Sequence, residues 1–123
     1  MQYEALVSII DDDESVRIAL GGLVRSLGYK VETFDSAGAF LDSDKVGQGC
    51  VVTDIQMPGI TGIQLKQRLD AMEVTAPVIM MTARSEPELH ARALESGAIC
   101  LLRKPFPADT LIDCLEKAIG KPN

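Results

Sequence analysis

The chain is poor in the residues from which most metal, redox and nucleic-acid sites are built. It has a single histidine, His90, which excludes a histidine-based metal site and leaves that residue to a solvent-facing helix. Its three cysteines, Cys50, Cys100 and Cys114, are odd in number, lack C-x-x-C spacing and sit among apolar neighbours. That excludes a disulfide frame and a zinc site, and points to reduced thiols filling a core. Basic residues are outnumbered 12 to 18, for a net charge of −6, the wrong sign for a surface that grips nucleic-acid phosphates. No direct contact with nucleic acid is expected. No apolar run reaches the roughly 18 residues of a membrane span, and no positively charged leader opens the chain, so a cytoplasmic, membrane-free protein is expected. Repeats and low-complexity segments are absent, and no G-x-G-x-x-G follows the first apolar run, which disfavours a nucleotide-binding module.

What is present is the balance of one folded domain: 123 residues, 46% hydrophobic and 24% charged. Short apolar runs at Ala5–Ile10, Lys30–Phe34, Cys50–Thr53, Pro77–Met81 and Ala98–Leu102 alternate with segments of helical period. Most of the runs are continuously apolar, as in strands buried on both faces of a parallel sheet. The helical stripes are Val16, Leu20, Leu23, Val24 and Leu27, ending at Gly28; Ala37, Phe40 and Leu41, capped by Asp35 or Ser36; Leu65, Leu69 and Met72; Leu89 and Ala93; and Leu111, Leu115, Ala118 and Ile119. Asp13 is placed to cap the first helix, and Ser85 with Glu88 forms an S-x-x-E capping box for the fourth. The fourth stripe is the weakest, which marks that helix as a candidate moving part. Five β-α units with right-handed crossovers give an α/β sandwich, and Met80 and Met81 fall in its sheet core.

In such sheets ligands bind beyond the carboxyl ends of the strands. There the chain delivers Asp11-Asp12-Asp13, Asp54, Thr82 and Lys104. Three carboxylates, Asp11, Asp12 and Asp54, are unfavourable together unless a hard divalent cation joins them. Lys104 adds a compact cation for a phosphate oxygen and Thr82 a hydroxyl. Acids, a lysine and a hydroxyl on one rim suit phosphoryl transfer in which a carboxylate attacks. Asp54 stands alone before the tight Pro58-Gly59 loop and is the expected nucleophile, with Asp11 and Asp12 as the metal-holding pair.

These residues carry a resemblance. The segments Ile9-Ile10-Asp11-Asp12-Asp13, Val52-Thr53-Asp54-Ile55-Gln56-Met57-Pro58-Gly59 with Gly62, Pro77-Val78-Ile79-Met80-Met81-Thr82-Ala83, Gly97-Ala98 and Leu102-Arg103-Lys104-Pro105-Phe106 occur in one order and spacing. From Ala5 to about Ile119 the chain resembles the receiver domain of two-component response regulators, and within it the FixJ-like branch. The resemblance implies a flavodoxin-like (βα)5 three-layer sandwich with a parallel sheet of order 2-1-3-4-5. It makes Asp54 the phosphoacceptor, fed by a phosphohistidine on a sensor histidine kinase. Asp12, Asp54 and the backbone carbonyl of Gln56 would bind Mg²⁺, or Mn²⁺ as the alternative ion, with Asp11 acting mostly through water. Lys104 would pair with Asp54 at rest, Thr82 would turn toward a phosphoryl oxygen, and the Lys104-Pro105 bond would be cis. Gln56 and Arg84 fall at the positions that tune phosphoryl lifetime. One position departs: Leu101 stands where the family usually carries an aromatic switch residue.

The implied role is a switch in a phosphorelay that catalyses only its own phosphorylation and dephosphorylation. It would expose a face of the fourth helix, fifth strand and fifth helix for a homodimer or partner, and regulate transcription through a downstream domain. Residues 119–123 would begin the linker to that domain. Two alternatives compete. A phosphorylation-independent pseudo-receiver would be favoured by loss of the acids or of Lys104, and all are present. A carboxylate-nucleophile phosphatase wants a second acid two places after its nucleophile, where Gln56 stands.

Overall fold

Five short runs with apolar residues on both faces form the strands of a computed structural model that describes residues 5–121. They are β1 (Leu6–Ile10), β2 (Lys30–Phe34), β3 (Cys50–Asp54), β4 (Val78–Thr82) and β5 (Cys100–Arg103). All pairings are parallel and the order is β2-β1-β3-β4-β5, as expected. The three central strands are buried along their whole length, whereas β2 and β5 lie at the edges and are partly exposed. β4 and β5 each begin later than the sequence suggests. Pro77 has no N–H to donate, so β4 starts at Val78. Gly97 turns with φ of 102° and the Ala98 amide bonds back to the Ala93 carbonyl, which delays β5.

The helices are α1 (Glu14–Ser26), α2 (Ala37–Leu41), α3 (Gly62–Ala71), α4 (Pro87–Glu95) and α5 (Ala108–Ile119). Period-2 alternation along the strands feeds two cores. Val7, Ile9, Val52, Ile79, Met81 and Leu102 meet α1 and α5 on one face. Ile10, Val51, Val78 and Met80 meet α2, α3 and α4 on the other, where Phe40 and Leu65 are fully buried. Cys50 and Cys114 are buried in the first core with Cys100 packed against it, and burial pushes the Cys50 and Cys114 thiols up to about 12. Thiols so protonated are inert filler.

Caps explain most of the helix starts, and that of α4 differs from expectation. Asp13 accepts from the Ser15 and Val16 amides and caps α1, and Ser36 rather than Asp35 caps α2. α3 starts with a reciprocal capping box between Thr61 and Gln64, a T-x-x-Q pattern visible in the sequence but not singled out. The expected Ser85–Glu88 box of α4 does not form. Proline at position 87 pushes its predecessor out of the helical region and fits only the first helical position, so Glu86 is the N-cap and Ser85 lies outside. Met72, expected on the core stripe of α3, is its exposed C-cap. Ile119 closes α5 against the first core, and residues 122 and 123 of the expected linker lie outside the described residues.

Two glycines, Gly49 against Leu6 and Gly62 against Asp54, are dictated by backbone crowding, and the second bears on the site. A Cβ at Gly62 would lie 2.5 Å from the Asp54 carbonyl oxygen, so only glycine lets the start of α3 approach the end of β3. The Gly62 amide donates to the Ile55 carbonyl at 3.0 Å and closes the loop that Asp54 opens.

Candidate functional site

The carboxyl ends of β1, β3, β4 and β5 converge on one rim. β1 ends at Ile10, and the Asp11 amide donates to the Phe34 carbonyl, which turns the next carboxylates over the sheet edge. Asp11 and Asp54 are buried, Asp12 is exposed, and each offers an oxygen within 4.8 Å of the other two. This is the one such acidic cluster among the described residues. An all-oxygen set of this kind matches a hard divalent cation better than a soft one.

Lys104, at the start of the β5–α5 loop, places its Nζ 2.8 Å from Asp11 Oδ2 and 3.6 Å from Asp54 Oδ2. Its ammonium thus bridges the two buried acids, with the hydrogen bond going to Asp11 rather than to Asp54 alone as expected. Asp11 is the deeper of the pair, and a buried carboxylate is the costlier one to leave unpaired. Its other oxygen accepts from the Asp13 amide. Arg17 on α1 donates to the Asp11 carbonyl at 2.7 Å, a support the sequence reading missed because a lone arginine in a helical stripe gives no signal.

The electrostatics follow from this packing. Burial pushes the Asp54 carboxyl above the ordinary carboxylate range, Asp11 and Asp12 add to the rise, and Lys104 opposes it. Burial alone would lower Lys104, but its hydrogen bond to Asp11 and the charges of Asp54 and Asp11 outweigh that and hold it above the ordinary lysine value. The site therefore has excess negative charge that one lysine does not cancel.

Thr82, the last residue of β4, is fully buried, and its hydroxyl donates to Gln56 Oε1 at 2.7 Å while accepting from the Arg84 amide at 3.0 Å. The Gln56 side chain, expected at a position that tunes phosphoryl lifetime, is a hydrogen-bond partner of Thr82. The Arg84 side chain lies in solvent, 3.8 Å from Glu86. The Lys104-Pro105 bond is cis, as expected. An apolar groove of about 580 Å³ between α1 and the β5–α5 loop opens beside Lys104, so the rim is approachable from that side. Leu101 is half-buried on the opposite sheet face, packed against the second core. His90 is also half-buried rather than solvent-facing: its Nε2 lies 2.7 Å from the Arg84 carbonyl. Of the expected site residues, Asp11, Asp12, Asp54, Gln56, Thr82 and Lys104 come together, and only the Arg84 side chain points away.

Comparison with known proteins agrees with this geometry. Residues 7–116 match the family described as response regulator receiver domain. The transcriptional regulatory protein FixJ of Bradyrhizobium diazoefficiens is 40% identical over 120 residues, 97% of this chain and 58% of that protein. The transcriptional regulatory protein TdiR of Thauera aromatica is 37% identical over 115 residues, 93% of this chain and 51% of that protein. The chain thus spans about half the length of the curated relatives it matches. Among solved structures, the N-terminal part of FixJ superimposes with a TM-score of 0.86 at 31% identity, covering 96% of this chain and 94% of that one.

Proposed function

This chain belongs to the response regulator receiver family, and from that premise we propose that Asp54 is its phosphoacceptor, taking the phosphoryl group from a phosphohistidine of a sensor kinase. The observation that carries the reading is the convergence of three carboxylates within 4.8 Å with one lysine bridging the two that are buried. In the transfer an Asp54 oxygen attacks phosphorus, the P–N bond breaks, and the histidine ring leaves with its electron pair. Lys104 stays beside both acids and stabilises the charge carried on the transferred group. The Thr82 hydroxyl turns from Gln56 to a phosphoryl oxygen, reporting the new charge to the β4–α4 loop.

Asp11, Asp12, Asp54 and the Gln56 backbone carbonyl would hold Mg²⁺, or Mn²⁺ in its place. Such an ion would supply the positive charge that the acids lack and offset the charge on the incoming phosphoryl group. The chain turns over no external substrate in this reading. Gln56, two residues after the nucleophile, has no acidic proton to give, and its amide is engaged by Thr82. The output we assign to a face built from α4, β5 and α5, which would form a homodimer or seat a partner and so regulate transcription through a further domain, in keeping with the transcriptional regulators FixJ and TdiR that the chain resembles. No contact with nucleic acid is assigned to this acidic chain. Free cysteines in the core suit a reducing cytoplasm.

Intact-mass measurement after treatment with acetyl phosphate, with and without Mg²⁺, tests the reading. A gain of one phosphate only when the metal is present is the expected result. Gain without metal, or none at all, overturns it; the latter leaves a pseudo-receiver, and rapid turnover of added phosphomonoesters would instead make the chain a phosphatase.

A further inference from the structure

Helix α4 is poorly anchored. Ala93 is its one buried residue, Leu94 is 52% exposed, and its N-cap Glu86 makes no side-chain capping bond. α5, on the other face of the sheet, buries Leu111, Cys114 and Leu115. The first turn of α4 is held by Leu89, half-buried against the second core, and by a polar tie. His90 Nε2 lies 2.7 Å from the Arg84 carbonyl, and because a carbonyl only accepts, that nitrogen carries the proton. The same residue, Arg84, donates its amide to Thr82 Oγ1, and Thr82 donates to Gln56 Oε1. Four residues therefore form one continuous chain of hydrogen bonds, from the loop after Asp54 to the first turn of α4. The exposed Arg84–Glu86 ion pair at 3.8 Å adds little to it. Leu101 has no polar atom with which to join.

We propose that His90 is a positioning residue that couples the state of Thr82 to helix α4 through the Arg84 backbone. The functional consequence rests on the reading of Asp54 given above; the coupling itself is a property of the resting chain. A hydroxyl has one proton. When Thr82 turns it toward a phosphoryl oxygen, Gln56 loses its donor and the Arg84 amide must follow Thr82 or find water. Because His90 clasps the carbonyl of that residue, the loop moves only by carrying the first turn of α4 with it or by releasing it.

A double-mutant cycle read by hydrogen–deuterium exchange tests this on the full chain. Thr82→Val, His90→Leu and the double variant are compared with wild type over peptides spanning 83–95. Each single variant is expected to speed exchange there about fivefold, the scale of one net hydrogen bond, and the double variant no more than either alone, because both cut one chain. His90→Gln, which keeps an N–H donor, restores slow exchange. Independent, multiplying effects, an unaffected α4 in Thr82→Val, or a Gln variant that behaves like Leu would each overturn the proposal, the last by making the role one of packing. Because no arm uses phosphate, failure of Asp54 to accept a phosphoryl group leaves this result standing, and failure here leaves the phosphoacceptor standing.

Discussion

The rim of the sheet and its interior follow opposite rules. Beneath the rim, β1, β3 and β4 are buried from end to end, and the only polar side chains on them short of their last residue are Ser8 and Thr53. At the rim, within one or two residues of those strand ends and of the end of β5, stand two buried carboxylates, a third that is exposed, a bridging ammonium and a buried hydroxyl. The interior supplies stability through apolar area removed from water. The rim holds charges that like neighbours make unfavourable. The contrast teaches that reactivity here is kept in groups the fold does not need, on a platform it cannot do without.

The widest separation of the two roles comes from a paired substitution. Asp54→Asn is expected to abolish labelling by acetyl phosphate while the fold survives. Leu65→Ala, in the second core, is expected to cost about 2–5 kcal/mol in urea unfolding while the remaining folded molecules label as wild type. A variant of Asp54 that labels normally, or a Leu65 variant that is fully stable yet fails to label, would erase the distinction.

A smaller effect sharpens the electrostatic half. Asp54 keeps its proton to higher pH in the folded chain than in the unfolded one. Between the ordinary value of 3.8 and its raised folded value the native state therefore binds more protons, and metal-free stability falls as pH rises through that window. The stability of Asp54→Asn relative to wild type should accordingly grow with pH above 3.8 and then level off, as read from denaturant midpoints. A flat difference would mean that the carboxylate is not destabilised at the rim.

The smallest effect probes a flaw in the interior. Ser8 Oγ is fully buried and has no hydrogen-bond partner among the described residues. Ser8→Ala removes an unsatisfied hydroxyl and should stabilise the chain by about 1 kcal/mol. Destabilisation would show that the hydroxyl has a partner and that the interior is less purely apolar than the rule above holds.

The same contrast explains what was legible beforehand. Strand positions followed from apolar runs such as Cys50–Val52, because burial on both faces leaves an unmistakable pattern in sequence, whereas the sheet order came only with the family resemblance. The acids, Thr82 and Lys104 were legible because strand ends concentrate them. What escaped depends on geometry between distant segments. Nothing local says that Lys104 hydrogen-bonds Asp11 instead of Asp54, that Arg17 supports the Asp11 carbonyl, or that His90 reaches back to Arg84. The misplaced start of α4 is a different failure: two local signals competed, and the steric demand of Pro87 prevailed over the Ser85–Glu88 pattern.

The main-chain contact at Gly62 separates what can drift from what cannot. Since the backbone at the foot of the β3–α3 excursion touches itself with no room for a methyl group, the Asp54 main chain is held from below, whatever occupies the tip. Pro58 and Gly59 at that tip are exposed. Substitutions at the tip are therefore expected to leave the aspartate at the loop's foot where it stands, so that one end of the loop is free to vary while the other is pinned.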